Sequence, residues 1–193
     1  MLKGLESGLI DGHTHIGVDL LFYLRGHSPY AQSWGTLSSQ GAAVGVNQFV
    51  VFPMVSYAGL HLRSLQQGKI KGKGGLEKVP YAFENRRLLQ EVRRFRSSNP
   101  ARAVPLGMFD PARSLDAQIK SLQLLHAEFG FRGLKTQPTI IQSRILSLLS
   151  SRGGRLLDLA ESHAWPILIH SSVHPEDPWS QVHDILTLVK SRP

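Results

Sequence analysis

The stretch Leu9-Ile10-Asp11-Gly12-His13-Thr14-His15-Ile16 decides how the rest of the chain reads. It opens on an apolar pair and carries two histidines one residue apart. On a β-strand successive side chains alternate between faces, so Asp11, His13 and His15 are expected on one side. Two imidazoles spaced about 7 Å along a strand can converge on a single ion. Neutral imidazole suits Zn, Fe, Ni or Mn, and a catalytic zinc takes about three protein ligands and keeps a position open. With nine histidines in 193 residues, a His-x-His pair also arises as a surface or capping feature. The setting favours the metal: the pair closes the first apolar run, and His170 closes a later one, Ile167-Leu168-Ile169-His170.

Between these two runs the pattern alternates. Asn47 to Phe52 is a continuous apolar run of the buried-strand kind, ended by Pro53. Ala103 to Phe109 predicts a third strand, Phe131 to Gln137 a weaker fourth, and Pro166 to His170 a fifth. Helical spacing separates them. A short helix is expected over Trp34 to Val44, and Leu88, Leu89, Val92 and Phe95 form the apolar stripe of a second. Asn99-Pro100 should stop that second helix. Ser114 is placed to cap the next, which buries Leu115, Ile119, Leu122 and Leu125. Further helical pieces are expected over Ile141 to Ser150, Gly154 to His163 and Pro178 to Lys190. The segment 56–80, with Gly68, Gly72, Gly74 and Gly75 among lysines, reads as a surface loop.

Strand–helix alternation of this kind predicts an α/β fold with a parallel sheet, either doubly wound or part of a barrel. No glycine-rich phosphate fingerprint follows the first strand, which counts against a dinucleotide fold. His13, His15 and His170 all fall at C-terminal strand ends, where α/β barrels build their active sites, and strand alternation points Lys135 the same way.

Composition narrows the alternatives. The length suits a single domain spanning 1–193, which should bury about 70% of its extended surface. No run reaches the ~18 apolar residues of a membrane span and no signal segment opens the chain, so a cytoplasmic protein is expected. Without cysteine there is no disulfide, thiolate ligand or thiol nucleophile. The net charge of +8 is scattered. Its clusters, at Lys69-Lys71-Lys73 and along Arg86, Arg87, Arg93, Arg94 and Arg96, accompany no recognition motif, so nucleic acid is not an expected partner.

The chain resembles the amidohydrolase superfamily, in its amidohydrolase-related branch of metal-dependent hydrolases and decarboxylases. The resemblance rests on Asp11-Gly12-His13-Thr14-His15, on Asn85-Arg86-Arg87-Leu88 ahead of Val104 to Pro111, on Gly130 to Lys135, and on Ile167 to His170. It implies a (β/α)8 barrel, of which about five strands with their crossover helices are present. It makes His13, His15 and His170 ligands of a divalent metal, zinc first. Lys135 would then be a carboxylated bridge between two metals or a cation facing a small-molecule substrate. A core lysine that reaches a backbone carbonyl or the barrel rim is the alternative. Relatives often carry a histidine where this chain has Gln137, which favours one metal. His174, just past the fifth strand, is read as a solvated loop residue. The implied chemistry is attack of metal-activated water on an amide, ester or lactone carbonyl, or else decarboxylation. The family's sixth-strand histidine and eighth-strand aspartate have no counterpart before Pro193, and neither Asp177 nor Asp184 has the context to replace the aspartate. A chain incomplete after the fifth unit, a non-catalytic remnant, and self-association through unpaired strand edges are therefore all expected possibilities.

Overall fold

The computed structural model describes residues 8–19, 30–54, 63–64, 67, 78–96, 98, 101–172 and 174–192. The loop read over 56–80 falls almost entirely outside these residues, as do the Lys69-Lys71-Lys73 cluster and the Asn99-Pro100 stop.

The elements run β1 (Leu9–Asp19), β2 (Tyr30–Gln32), α1 (Trp34–Ala42), β3 (Val46–Pro53), α2 (Ala82–Arg94), β4 (Arg102–Pro105) and β5 (Gly107–Met108). They continue with α3 (Leu115–Phe129), β6 (Leu134–Thr136), α4 (Pro138–Ile141), a 3-10 turn (Ile145–Leu149), α5 (Ser151–Ser162), β7 (Ile167–Ile169) and α6 (Val182–Ser191). Four strands pair in the order β2-β1-β3-β4 and three in the order β5-β6-β7. All neighbours are parallel except β1 and β2. A single residue, Leu106, separates β4 from β5. Its N–H donates to the Val51 carbonyl at 2.8 Å, and the next N–H, of Gly107, donates to Gly133 at 2.9 Å. The chain thus hands over from one sheet to the other, and the parallel neighbours follow sequence order throughout.

The expected α/β fold with parallel strands and crossover helices is what forms; no closed barrel is present among the described residues. Helices cover one face. Ile16, Phe49 and Val51 pack with Trp34 of α1 and Leu88 of α2, and Leu134, Ile167 and Ile169 pack with α3, α5 and α6 through Leu122, Leu125, Leu156 and Leu188. The alternate strand positions, Phe52, Leu106, Met108, Val50 and Leu168, form a separate cluster on the other face with Tyr81 and Ile141. No helix among the described residues is long and apolar enough to cross a membrane.

Buried side-chain amides complete the strand bonding. The last bond from β3 to the following strand is the one that Val51 accepts from the Leu106 N–H. Asn85 stands in for the missing strand, its Nδ2 donating to the Met108 carbonyl at 2.8 Å and its Oδ1 accepting from the Met108 N–H at 2.7 Å. Gln118 does the same for Asp110, at 2.8 and 2.9 Å.

Three local expectations are corrected. Ser114 makes no side-chain cap; it sits in the left-handed region at φ 47, while Gln118 takes the nearby backbone groups. Residues 141–150 are not one helix, because Gln142 turns left-handed at φ 50 and only the 3-10 turn follows. The last helix starts at Val182, not Pro178, because the preceding residues are bound in a loop: Asp177 accepts from the Trp179 N–H at 2.8 Å, and the Ser172 N–H donates to Ser180 at 2.8 Å.

Candidate metal centre

β1 positions the two histidines, and it does so through an irregularity. Against β3 its register runs Asp11 to Phe49, then Thr14 to Val51 and His15 to Phe52, so β1 spends one residue more than its partner between Asp11 and Thr14. This bulge breaks the two-residue alternation. Asp11 therefore pairs with Phe49 of the helix-covered face, while His15 pairs with Phe52 of the opposite one. The expectation that Asp11 shares a face with both histidines is corrected accordingly. Its carboxylate instead accepts the His13 N–H at 2.9 Å, which secures the turn in the bulge.

His13 and His15 meet with ring centroids 5.5 Å apart. Both lean edge-on against the Phe52 ring, at 4.9 and 4.5 Å. The Lys135 ammonium lies over that same ring, 5.1 Å from its centre. Gln137, two residues along β6, brings its amide nitrogen to 3.3 Å from His15 Nε2. On the other side of the ring, Nδ1 lies 3.3 Å from the Pro53 carbonyl. A carbonyl only accepts, so Nδ1 carries the proton and Nε2 keeps its lone pair. The Gln137 N–H faces that lone pair.

His170 follows β7 two positions after Leu168, whose register partner is Lys135, so alternation puts it on the histidine face. Its N–H donates to Thr136 at 3.0 Å. Among the described residues no three His, Asp or Glu side chains are gathered closely enough to hold an ion as they stand. His13 and His15 are the pair that is brought together, and His170 is close enough for its charge to act on both.

The electrostatics are those of a partly dehydrated cluster of bases. Burial lowers His15 to about 4, opposed by the hydrogen bond to Pro53 and assisted by the charges of His13, Lys135 and His170. Burial also lowers His13, with Lys135 and His170 adding to the effect and Asp11 opposing it. His170 is lowered by burial and by Lys135, against Asp177. Lys135, wholly excluded from solvent, is lowered by burial to about 8. Its Nζ has no hydrogen-bond partner among the described residues, and neither has Gln137 Oε1. No backbone carbonyl among the described residues is bonded to the Lys135 Nζ.

Asp177 carries more than its loop position suggested. It is buried, accepts from Thr139 Oγ1 at 2.6 Å, and so ties the loop after β7 to α4. Burial pulls its carboxyl upward, but the bonds from Thr139 and Trp179 hold it below the ordinary range. Asp184 is beside His183, at 3.2 Å on α6, and His174 is an exposed loop residue whose N–H is bound by Ser172 Oγ at 3.1 Å. Nothing in the sequence marked Phe52, the wall shared by His13, His15 and Lys135; it read only as one residue of an apolar run.

Compared with known proteins, the chain matches no family model, no curated protein and no solved structure.

Proposed function

We propose that this chain is a metal-dependent hydrolase of the amidohydrolase type, acting on a C–N, ester or lactone bond, built on part of a (β/α)8 barrel. The barrel reading is supported by parallel neighbours in sequence order and by helices on one face. A doubly wound sheet would reverse its order and cover both faces.

The observation that carries the function is the His13–His15 pair, set among buried polar atoms that the fold leaves unpartnered. Such an atom costs roughly 1–3 kcal/mol, and is tolerated where a ligand supplies the missing partner. The donor set fits a divalent ion, zinc first, held by His13 and His15 with His170 as third ligand. When bound, such an ion polarises a carbonyl and acidifies water.

The remaining work falls to the chain itself. The Pro53 carbonyl fixes the His15 tautomer and directs Nε2 into the site. The Gln137 amide N–H faces the Nε2 lone pair and has to turn aside for Nε2 to hold an ion. Phe52 supplies the apolar wall against which the two histidines and Lys135 rest. Lys135, with a value of about 8, remains an ammonium at neutral pH and can bind an anionic group of the substrate.

A carboxy-lyase of the same branch is the second reading. Lys135 favours it, since a buried ammonium without a carboxylate partner among the described residues suits a carboxylate substrate. The test is to load the protein with Zn or Mn and assay it against amides, esters, lactones and aromatic carboxylates. Metal-dependent turnover that disappears in His13→Ala and in His15→Ala supports the proposal, and release of carbon dioxide selects the second reading. Stoichiometric metal without turnover would make this chain a non-catalytic remnant. No bound metal would overturn both enzyme readings.

A further inference from the structure

A separate cleft of about 370 Å³ opens at the C-terminal strand ends, between the loop after β5, the turn after α4 and the loop before α6. Its polar and aromatic lining is Arg113, Gln142, Ser143, Arg144, Ser147 and Trp179. None of the proposed metal-site residues lines it, and none of its lining residues is acidic. The volume lies at the lower end of the range of small-molecule sites, roughly 300–1,000 Å³.

The charges in it are unequal. Arg113 is engaged through Nε by the buried Asp110 carboxylate, which locks its guanidinium in place. The Arg144 guanidinium has no ion pair or hydrogen bond among the described residues, so its positive charge is not neutralised by any of them. Ser143 is only 4% exposed and lines the cleft, and its hydroxyl, bonded to no other described group, keeps contact with solvent. The left-handed turn at Gln142, φ 50, carries Ser143 and Arg144 to the wall. Trp179 also lines the cleft, its backbone N–H bound to Asp177 at 2.8 Å.

We infer that this cleft binds a small aromatic oxyanion: Arg144 and the fixed Arg113 take its charged oxygens, Ser143 adds a hydroxyl donor, and Trp179 packs against its ring. Guanidinium groups bind carboxylate and phosphate alike through paired N–H donors, so the two sources share one chemistry. The inference does not depend on a metal.

Benzoate and phenylphosphonate are the probes, with benzamide as the uncharged isostere, titrated into the metal-free protein while the Trp179 indole N–H signal is followed by NMR. The signal is assigned through Trp179→Phe. Saturable shifts with one or both anions, and none with benzamide, are expected; the stronger anion identifies the source. Arg144→Gln should weaken binding roughly tenfold or more, the loss of one charge-assisted contact. Arg144 is exposed and unpaired, so this variant is expected to fold, which circular dichroism checks. Ser143→Ala should weaken binding as well. Binding should survive in His13→Ala/His15→Ala, which separates this site from the metal centre. Equal binding of benzamide, no saturable shift, an unchanged affinity in Arg144→Gln, or loss in the double histidine variant would each overturn the inference.

Discussion

Replacing Lys135 by methionine should make the protein more stable while removing its proposed substrate contact. The amine is fully buried, and among the described residues its one partner is the Phe52 ring at 5.1 Å. Burial lowers it from 10.5 to about 8. At about 1.36 kcal/mol per tenfold change in proton affinity, the charged lysine costs the fold on the order of 3 kcal/mol at neutral pH. Methionine keeps the length of the stem and discards the charge, so a gain of about 2–3 kcal/mol is expected after loss of the cation–ring contact. The pH dependence carries its own sign. The unfolded chain holds the proton more tightly, so the penalty is complete below about pH 8 and fades as pH rises from about 8 to 10.5. Wild-type stability should therefore rise across that interval from this group, and the Lys135→Met variant should lack that rise. Urea denaturation from pH 7 to 10 measures both quantities, provided the slope of the transition is unchanged. A variant no more stable than wild type at pH 7, with the same pH profile, would refute the claim that the amine is unpaired.

Asn85→Ala removes both bonds to Met108 and leaves a buried N–H and carbonyl without partners; a loss of roughly 2–4 kcal/mol is expected by urea denaturation. A loss below about 0.5 kcal/mol, the scale of a surface substitution, would contradict its role as a stand-in strand. The His15 ring should titrate with a midpoint of about 4 by NMR. Because the unfolded imidazole protonates first, this group should cost stability as pH falls from about 6.5 through about 4. A midpoint near 6.5 would place the ring in solvent. β2 covers only Gly17 to Asp19 on the outer side of β1, and Leu9 and Ile10 are exposed there, as are Val182, Leu186 and Val189 on α6. Concentration-dependent association is therefore expected in sedimentation velocity, and a monomer at all concentrations would show that these edges are protected.

The sequence reading succeeded where one periodicity governs a whole element. Phe49 to Phe52 and Ile167 to Ile169 alternate cleanly between two cores, and the stripes of α2 and α3 bury Leu88, Leu89, Leu122 and Leu125 as their spacing requires. It failed where a single residue departs from the period. Alternation along β1 put Asp11 beside the histidines, and the extra residue before Thr14 moves it to the other face. The left-handed residues Ser114 and Gln142 gave no warning, since neither is glycine. Asn85 and Gln118 acquire their roles only from register: Met108 and Asp110 have backbone groups that side-chain amides, and not a neighbouring strand, take up. Their polar character in otherwise apolar helix faces was the only available clue. The short β2 is set by the chain folding back on β1, and three residues are too few to carry a pattern.

Zinc K-edge absorption spectroscopy on the zinc-loaded protein tests the metal centre most directly, because it counts imidazole ligands without requiring a known substrate. The proposed site predicts a first shell at about 2.0–2.1 Å with three imidazoles, from His13, His15 and His170, and loss of stoichiometric zinc in His13→Ala/His15→Ala. A first shell without imidazole, or an unchanged spectrum and stoichiometry in the double variant, would contradict it.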